Sequence, residues 1–342
     1  MKYIEKIFKN ADAFGLNSET RADFIEAMRE AVDFHRSNSK IYDGICSQHN
    51  FSFDRDIKGE SDLYKIPHIM VNVFKEMKLL SVPESEITLS FTSSGTTGSI
   101  SQTNLDNITR ERQAFTRRST VESYNLASYE EEVNYLCFSY DPETGGAKGA
   151  AHTHTAYMGF AKAHETFYAI SRDEKGEAKF KINDCIAALE RYSKSGLPLR
   201  ITGFPSFGYT TLKKLDEMEQ RFSFPASSVL FSGGGWKLPG GDPISFDEYS
   251  GLVKRVLGIP RDRIRDVFGM IEHGIPYMTC GHGNFHVPIY SRVFAVDPAS
   301  AENLPNGRTG LLKLITPYIR SVPAISILST DYGVVENNCP CL

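Results

Sequence analysis

The sequence predicts an α/β protein with leading helices, a mostly parallel sheet and a small β region near the C-terminus. Three observations predict it: helical periodicity in the opening segment, short apolar runs alternating with amphipathic stretches through the middle, and closely spaced β-type runs at the end.

Residues 1–65 read as a leading helical segment. Ser18 is the expected cap of a helix in which Ile25, Met28, Val32 and His35 recur at helical spacing, with Glu19 and Asp23 near its positive end. Short apolar or β-branched runs follow at 86–94, 133–140, 197–207, 227–235 and 263–270, the length and composition of buried strands. Helical spacing returns at 211–221 and 246–257, so the order strand, helix, strand predicts parallel pairing. The last runs, "SRVFAVD", "TGLLKLITP" and "AISILSTDYG", are separated by turns alone and predict antiparallel strands.

A net charge of -4 over 342 residues supplies no field to gather nucleic acid or an anionic membrane, so a polyanionic ligand must be held locally. The start, MKYIEKIFKN, is charged every few residues where a secretory signal needs an apolar core, and no run approaches the ~20 apolar residues of a membrane span. A cytoplasmic protein is expected. Six cysteines over this length are no disulfide framework, and Cys46, Cys137 and Cys185 read as small buried apolar residues.

In parallel α/β sheets ligands sit beyond the carboxyl ends of strands, and four segments there carry chemistry. "FTSSGTTGSISQTNLD" at 91–106 offers the hydroxyls of Thr92, Ser93, Ser94, Thr96 and Thr97, with Gly95 and Gly98 admitting a ligand to the backbone. It lacks the lysine of a Walker-type phosphate loop, and its plain reading is a surface loop. "SGGGW" places Ser232, Gly233, Gly234 and Gly235 where bare peptide suits a flat ring, with Lys237 just beyond as either a ligand cation or a solvated lysine. "FGMIEHG" places Phe268, Gly269, Met270 and Glu272, the last a hard oxygen ligand for Mg²⁺ or an ordinary surface acid. "STDYG" places Asp331 in a loop, able to accept from both ribose hydroxyls or serving only its turn. Phe204, Phe207 and Tyr209 in "ITGFPSFGY" read as an acyl pocket or as core packing.

In this order the four segments resemble the adenylate-forming superfamily of acyl-CoA ligases, luciferases and peptide-synthetase adenylation domains. A narrower resemblance, in "KIPHIMVNVFKE" at 65–76, "SGGGWK" at 232–237 and "CGHGNFHVP" at 280–288, is to LuxE-type acyl-protein synthetases of bacterial bioluminescence, relatives of phenylacetate-CoA ligase. The resemblance implies an adenylation core over 66–342. It also implies ATP-dependent activation of a carboxylic acid, a fatty acid on the narrower match, to an acyl-adenylate and transfer to a protein thiol, with a reductase partner downstream. Residues 92–98 would hold the departing phosphates, Glu272 the Mg²⁺, Phe268 and Gly233–Gly235 the adenine, and Asp331 the ribose. The rival readings are an aryl- or acyl-CoA ligase of the phenylacetate type and a non-catalytic nucleotide-binding relative.

There are departures from the pattern. Ile271 stands where many members have threonine, and Ser99, Ile100 and Ser101 stand where a lysine is usual. The chain stops eleven residues after Asp331, where relatives continue into a mobile domain with a catalytic lysine. Either Lys237 or a partner supplies that charge, or the sequence is truncated.

Cys280, His286, Cys339 and Cys341 make the Cys₃His set of a closed zinc site, with His282 an equal rival to His286. The competing readings are that Cys339 or Cys341 accepts the acyl group, as a C-terminal cysteine does in the bioluminescence enzymes, or that both are idle tail residues. "HTH" at 152–154 either lines the acyl pocket or fills a loop, and His35 reads as structural.

Overall fold

The computed structural model describes residues 1–92, 102–142, 154–172, 177–236 and 242–341. Helices Lys2–Ile7, Ser18–Asn38 and Lys40–Gln48 lead the chain. The long helix is capped one residue earlier than its sequence suggested. Asn17 Oδ1 accepts from the amides of Glu19 and Thr20 at 2.9 and 3.0 Å, while Thr20 Oγ1 accepts from Asn17 N at 2.9 Å. Asn17 wins over Ser18 because this reciprocal box satisfies three amide donors at once. Phe24, Met28 and Val32 are buried in one cluster with Ile315, Tyr318 and Ile327, so the leading helices rest on the C-terminal sheet. His35 is structural there: Nε2 donates to Ile319 O at 3.0 Å, and Nδ1 accepts from Ser81 Oγ at 2.7 Å.

Next come β1 (Ile69–Met70) and an antiparallel hairpin of β2 (Ile87–Thr92) and β3 (Gln102–Asp106). The hairpin flanks the hydroxyl-rich segment; Ser93, Ser94, Gly95, Thr96, Thr97 and Gly98 lie outside the described residues.

The body is an eight-stranded sheet. It is formed by β4 (Ser128–Tyr140), β5 (Ala161–Arg172), β6 (Ala178–Phe180), β7 (Leu199–Gly203), β8 (Val229–Gly233), β9 (Ile264–Phe268), β10 (Tyr277–Thr279) and β11 (Phe285–His286). The order is β11-β10-β9-β8-β7-β4-β5-β6, with the five central strands parallel and the edges antiparallel. Helices Ile182–Ser195, Pro205–Glu217 and Phe246–Leu257 connect the parallel strands, packing Leu189, Leu212 and Val253 against Leu136, Ile201 and Leu230. The second helix begins six residues before the expected 211 because Pro205 at its first turn has a preset φ. The third starts at its expected residue: Ser245 accepts from Glu248 N at 3.1 Å, and Gly258 at φ +74° stops it. Arg200, 1% exposed on a central strand, donates to Leu126 O and Ser128 Oγ at 2.8 and 2.7 Å and so fixes the entry to β4.

The expected terminal β region is present. β12 (Arg292–Val296), β13 (Thr309–Ile315) and β14 (Ser326–Val334) are antiparallel, and β1 adds to β14 in parallel. Between the pairs Leu311–Tyr332 and Lys313–Leu328, three residues of β14 face one of β13. Asp331 therefore sits in a bulged strand and not in a loop, since the ladder resumes at Tyr332. No helix among the described residues is long and apolar enough to cross a membrane.

His35, His154 and His273 are buried, and desolvation lowers their pKa from 6.5 to about 4, about 4 and about 3. A base whose folded pKa lies below its unfolded value leaves the unfolded state holding more protons. Stability is thus complete above pH 6.5 and falls as the pH drops toward 4, by roughly 1.4 kcal/mol per pH unit for each histidine in that window. Urea denaturation between pH 7.5 and 4.5 should show a midpoint that declines steadily below 6.5; a flat profile contradicts this account.

Candidate active site

The register of the sheet sets the carboxyl ends of four parallel strands side by side. Phe138 pairs with Gly203, Gly203 with Ser232, and Gly233 with Val267. The strands approach closely because of glycine: a Cβ on Gly233 would lie 2.8 Å from Val267 O. Gly234, at φ +82°, would put a Cβ 2.9 Å from the Phe204 ring, so both its backbone and its surroundings exclude a side chain. Gly234 and Gly235 are exposed, and the wall they present is bare peptide.

One side of that wall is held by His154, from the end of the "HTH" stretch. Its Nε2 donates to Gly233 O at 3.4 Å, Nδ1 accepts from Ser139 Oγ at 2.9 Å, and its ring meets Phe204 edge-on at 4.8 Å. Burial keeps it neutral. Phe204 is buried with its centroid 6.2 Å from Phe207, which contacts Phe180 at 4.8 Å. Tyr209 lies 5.7 Å from Trp236 and donates to Glu248 at 3.1 Å. Phe204 therefore belongs to the glycine wall, Phe207 adjoins Phe204, and Tyr209 meets Trp236, the residue that follows the wall. Asp266 accepts from Ser232 Oγ at 3.3 Å and Val267 N at 3.0 Å, and desolvation pushes its carboxyl pKa up. No sequence signal marked Asp266, which lies inside a strand-like run.

Beyond β9, Phe268 leads into a turn closed by the amides of His273 and Gly274 on Met270 O, at 3.1 and 2.7 Å. Glu272 sits in this turn at 6% exposure, and among the described residues no hydrogen-bond or ion-pair partner meets its carboxylate. Phe268 contacts the rings of Tyr277 and Phe285 at 6.0 and 6.2 Å. The structure thus gathers Ser232–Gly235, Phe204 and Phe268–Glu272 at adjoining strand ends. Asp331, exposed, is on the other sheet, and no described contact joins it to the glycine wall. Thr92 ends β2 paired with Gln102, and Lys237 lies outside the described residues.

The second constellation is at the sheet edge. Cys280 directly follows β10, His286 lies on β11, and the tail brings Cys339 and Cys341 to them, with all four ligand atoms within 4.8 Å of one another. The successive contacts are Cys280–Cys339 at 3.6 Å, Cys339–Cys341 at 3.0 Å and Cys341–His286 Nε2 at 3.2 Å. His282 joins through its backbone, donating to Cys280 Sγ at 3.3 Å, while its side chain is exposed and outside the cluster.

The family model for "Acyl-protein synthetase, LuxE" matches residues 2–342. The chain belongs to the LuxE acyl-protein synthetase family. Two curated relatives are long-chain-fatty-acid–luciferin-component ligases. The Vibrio harveyi protein is 24% identical over 321 residues, and the Aliivibrio fischeri protein 23% over 322; each match covers 90% of this chain and 78% of the relative. Among solved structures, 2-hydroxyisobutyryl-CoA ligase in an open conformation, in complex with 2-HIB-AMP and CoA, aligns with a TM-score of 0.64 at 14% identity, over 95% of this chain and 71% of that one. Its thioesterification state aligns at 0.67, also with 14% identity, over 95% of this chain and 65% of that one. The fold of this acyl-protein synthetase is thus the adenylate-forming α/β architecture.

Replacing Gly234 by Ala forces a side chain into a left-handed backbone and against Phe204, which should cost about 1–2 kcal/mol of stability. It should also weaken ATP binding at least tenfold, read by calorimetry at 15 °C; unaltered affinity removes the glycine wall from the site.

Proposed function

We propose that this acyl-protein synthetase uses ATP to activate a long-chain fatty acid as its acyl-adenylate and delivers the acyl group to a protein thiol in the cytoplasm. The observation that carries the reading is the juxtaposition, at the adjoining carboxyl ends of β8 and β9, of bare glycine peptide, an aromatic ring at Phe268 and the partnerless carboxylate of Glu272. The names of the Vibrio harveyi and Aliivibrio fischeri relatives support a long-chain acid.

A carboxylate resists nucleophiles because its leaving group would be an oxide. Its oxygen attacks the α-phosphorus of ATP, pyrophosphate departs, and the carboxyl becomes a mixed anhydride with AMP. Such a step needs positioning and charge neutralisation. Gly233–Gly235 and Phe268 enclose the adenine, Asp331 accepts from the ribose hydroxyls, and the hydroxyls and amides of 92–98 take the outer phosphates. Phe204, Phe207 and Tyr209 receive the acyl chain, and Lys237 supplies positive charge. The neutral His154 keeps the wall in place without adding a charge beside the incoming carboxylate.

Glu272 fits a divalent cation: its carboxylate meets no protein partner among the described residues, and one carboxylate suffices for Mg²⁺ when phosphates supply other oxygens. The bound Mg²⁺ would neutralise charge on the phosphates. The other cation in this reading is a structural Zn²⁺ at Cys280, His286, Cys339 and Cys341.

Exchange of labelled pyrophosphate into ATP should depend on added fatty acids of eight to eighteen carbons; silence across that series sinks the reading. Glu272→Gln should lower the exchange roughly 100-fold or more while leaving the urea midpoint near that of the parent.

A further inference from the structure

The chain has six cysteines, and all are among the described residues. Cys46, Cys137 and Cys185 are at most 1% exposed, and Cys280 is 3% exposed. Of these six, the thiols open to an acyl donor are Cys339 and Cys341, the two that stand against Cys280 and His286.

The cluster has the chemistry of a closed metal site. With Zn–S near 2.3 Å and Zn–N near 2.0–2.1 Å, a tetrahedron has ligand separations of about 3.5–3.8 Å. The observed 3.6, 3.2 and 3.0 Å come to those values with shifts of under one ångström. Three soft sulfurs and one imidazole select zinc over hard cations. Sulfur acceptors are supplied with donors: His282 N to Cys280 at 3.3 Å, and Asn284 Nδ2 to Cys339 at 3.4 Å. Three thiolates around Zn²⁺ leave one negative charge. Arg265, stacked on Tyr124 at 4.5 Å, acts electrostatically on Cys280, and Tyr124 packs against the His286 ring at 6.5 Å.

Resting on the acyl-activation reading above, we propose that Cys280, His286, Cys339 and Cys341 hold one zinc ion that locks residues 339–341 to the β10–β11 hairpin, so that these thiols are withheld and the activated acyl group leaves on a thiol outside the cluster. A thiolate shared with zinc has its lone pair engaged and its path to a carbonyl blocked by its neighbours. The external thiol closes the balance: its sulfur forms the C–S bond, the C–O bond to AMP breaks, AMP leaves with the electron pair, and the thiol proton passes to solvent. The same chemistry is offered by a small thiol and by a protein cysteine.

Native mass spectrometry and elemental analysis of the purified full chain should find about one zinc per chain. The double variant Cys339→Ser/Cys341→Ser should lose at least nine-tenths of it. N-ethylmaleimide should leave both tail thiols unmodified in the loaded protein and alkylate both after a chelator. With ATP, Mg²⁺ and tetradecanoic acid, intact mass should show no acyl group on the chain. Thioester should form on at least one of three probes: coenzyme A or N-acetylcysteamine as small thiols, or a cysteine-containing peptide as the protein-type acceptor.

Less than one tenth of a zinc per chain after incubation with the metal, alkylation indifferent to chelator, or a hydroxylamine-labile acyl group on Cys339 or Cys341 overturns the proposal. So does adenylate that accumulates without thioester on any probe. Pyrophosphate exchange separates the two readings. Exchange without zinc removes this inference alone, and zinc without exchange removes the acyl-activation reading and the acceptor step with it.

Discussion

Everything assigned to chemistry in this chain depends on how closely its parallel strands end together. Gly203 lies at φ +130°, and a Cβ there would stand 2.4 Å from Phe138 O. No other residue allows β7 to finish flush against β4. Once that contact is made, the register carries across to Ser232 and then to Val267, and the loops after β8 and β9 emerge at one edge. The site is built by backbone approach, with side chains added to it. Its wall is peptide, and the polar groups behind it, Ser139 with His154 and Ser232 with Asp266, are spent on holding that peptide in position.

What the sequence made legible follows from this. Strands buried along their whole length, such as β7 and β8, announce themselves as short apolar or β-branched runs that end in glycine, and both were readable although Arg200 interrupts the first. β5 was not: exposed at Lys162, Ala163 and His164 and buried only at Ala169 and Ile170, it presents neither a continuous run nor a clean alternation. The cap at Asn17 was displaced by one position because Ser18 has the right chemistry and only the three-dimensional box chooses between neighbours. Asp331 was read as a loop residue because a bulge inside a strand has the composition of a turn. For the site, glycine triplets and an aromatic-glycine-acid run survive as sequence signals, since backbone exposure demands them. Asp266 leaves no such trace, because a single acid inside a strand-like run forms no pattern. The choice of His286 over His282 was equally invisible, as both lie within six residues of Cys280 and only the hairpin pairing of Met278 with His286 turns one inward.

The cysteines divide by environment in a way composition alone does not reveal. Cys46, Cys137 and Cys185 behave as apolar core, and burial pushes the thiol pKa values of Cys137 and Cys185 up to about 12, far from reactivity. The remaining three converge from positions 59 and 61 residues apart in sequence, which hydrophobic packing has no reason to do with an exposed tail. A ligand that pairs with sulfur and imidazole supplies the reason.

The segment from Phe268 to His286 joins these two constellations. Within it lie Phe268 and Glu272, proposed to serve the nucleotide, and Cys280 and His286, two of the four residues proposed to hold zinc. Its anchor is a directed chain of hydrogen bonds. Ser291 Oγ donates to Ile315 O at 2.9 Å, so Tyr277 must donate to Ser291 at 2.6 Å, and His273 Nε2 must then donate to Tyr277 at 2.6 Å. That sequence fixes the neutral tautomer of His273, and burial enforces the same charge state. Glu272 is the preceding residue, so its position is set from the four-stranded sheet through this relay. At the other end Phe285 packs on Phe268, beside the hairpin that the tail cysteines reach. The ring proposed to meet the adenine is thus supported from the hairpin side, and the turn that carries Glu272 is supported from the four-stranded sheet.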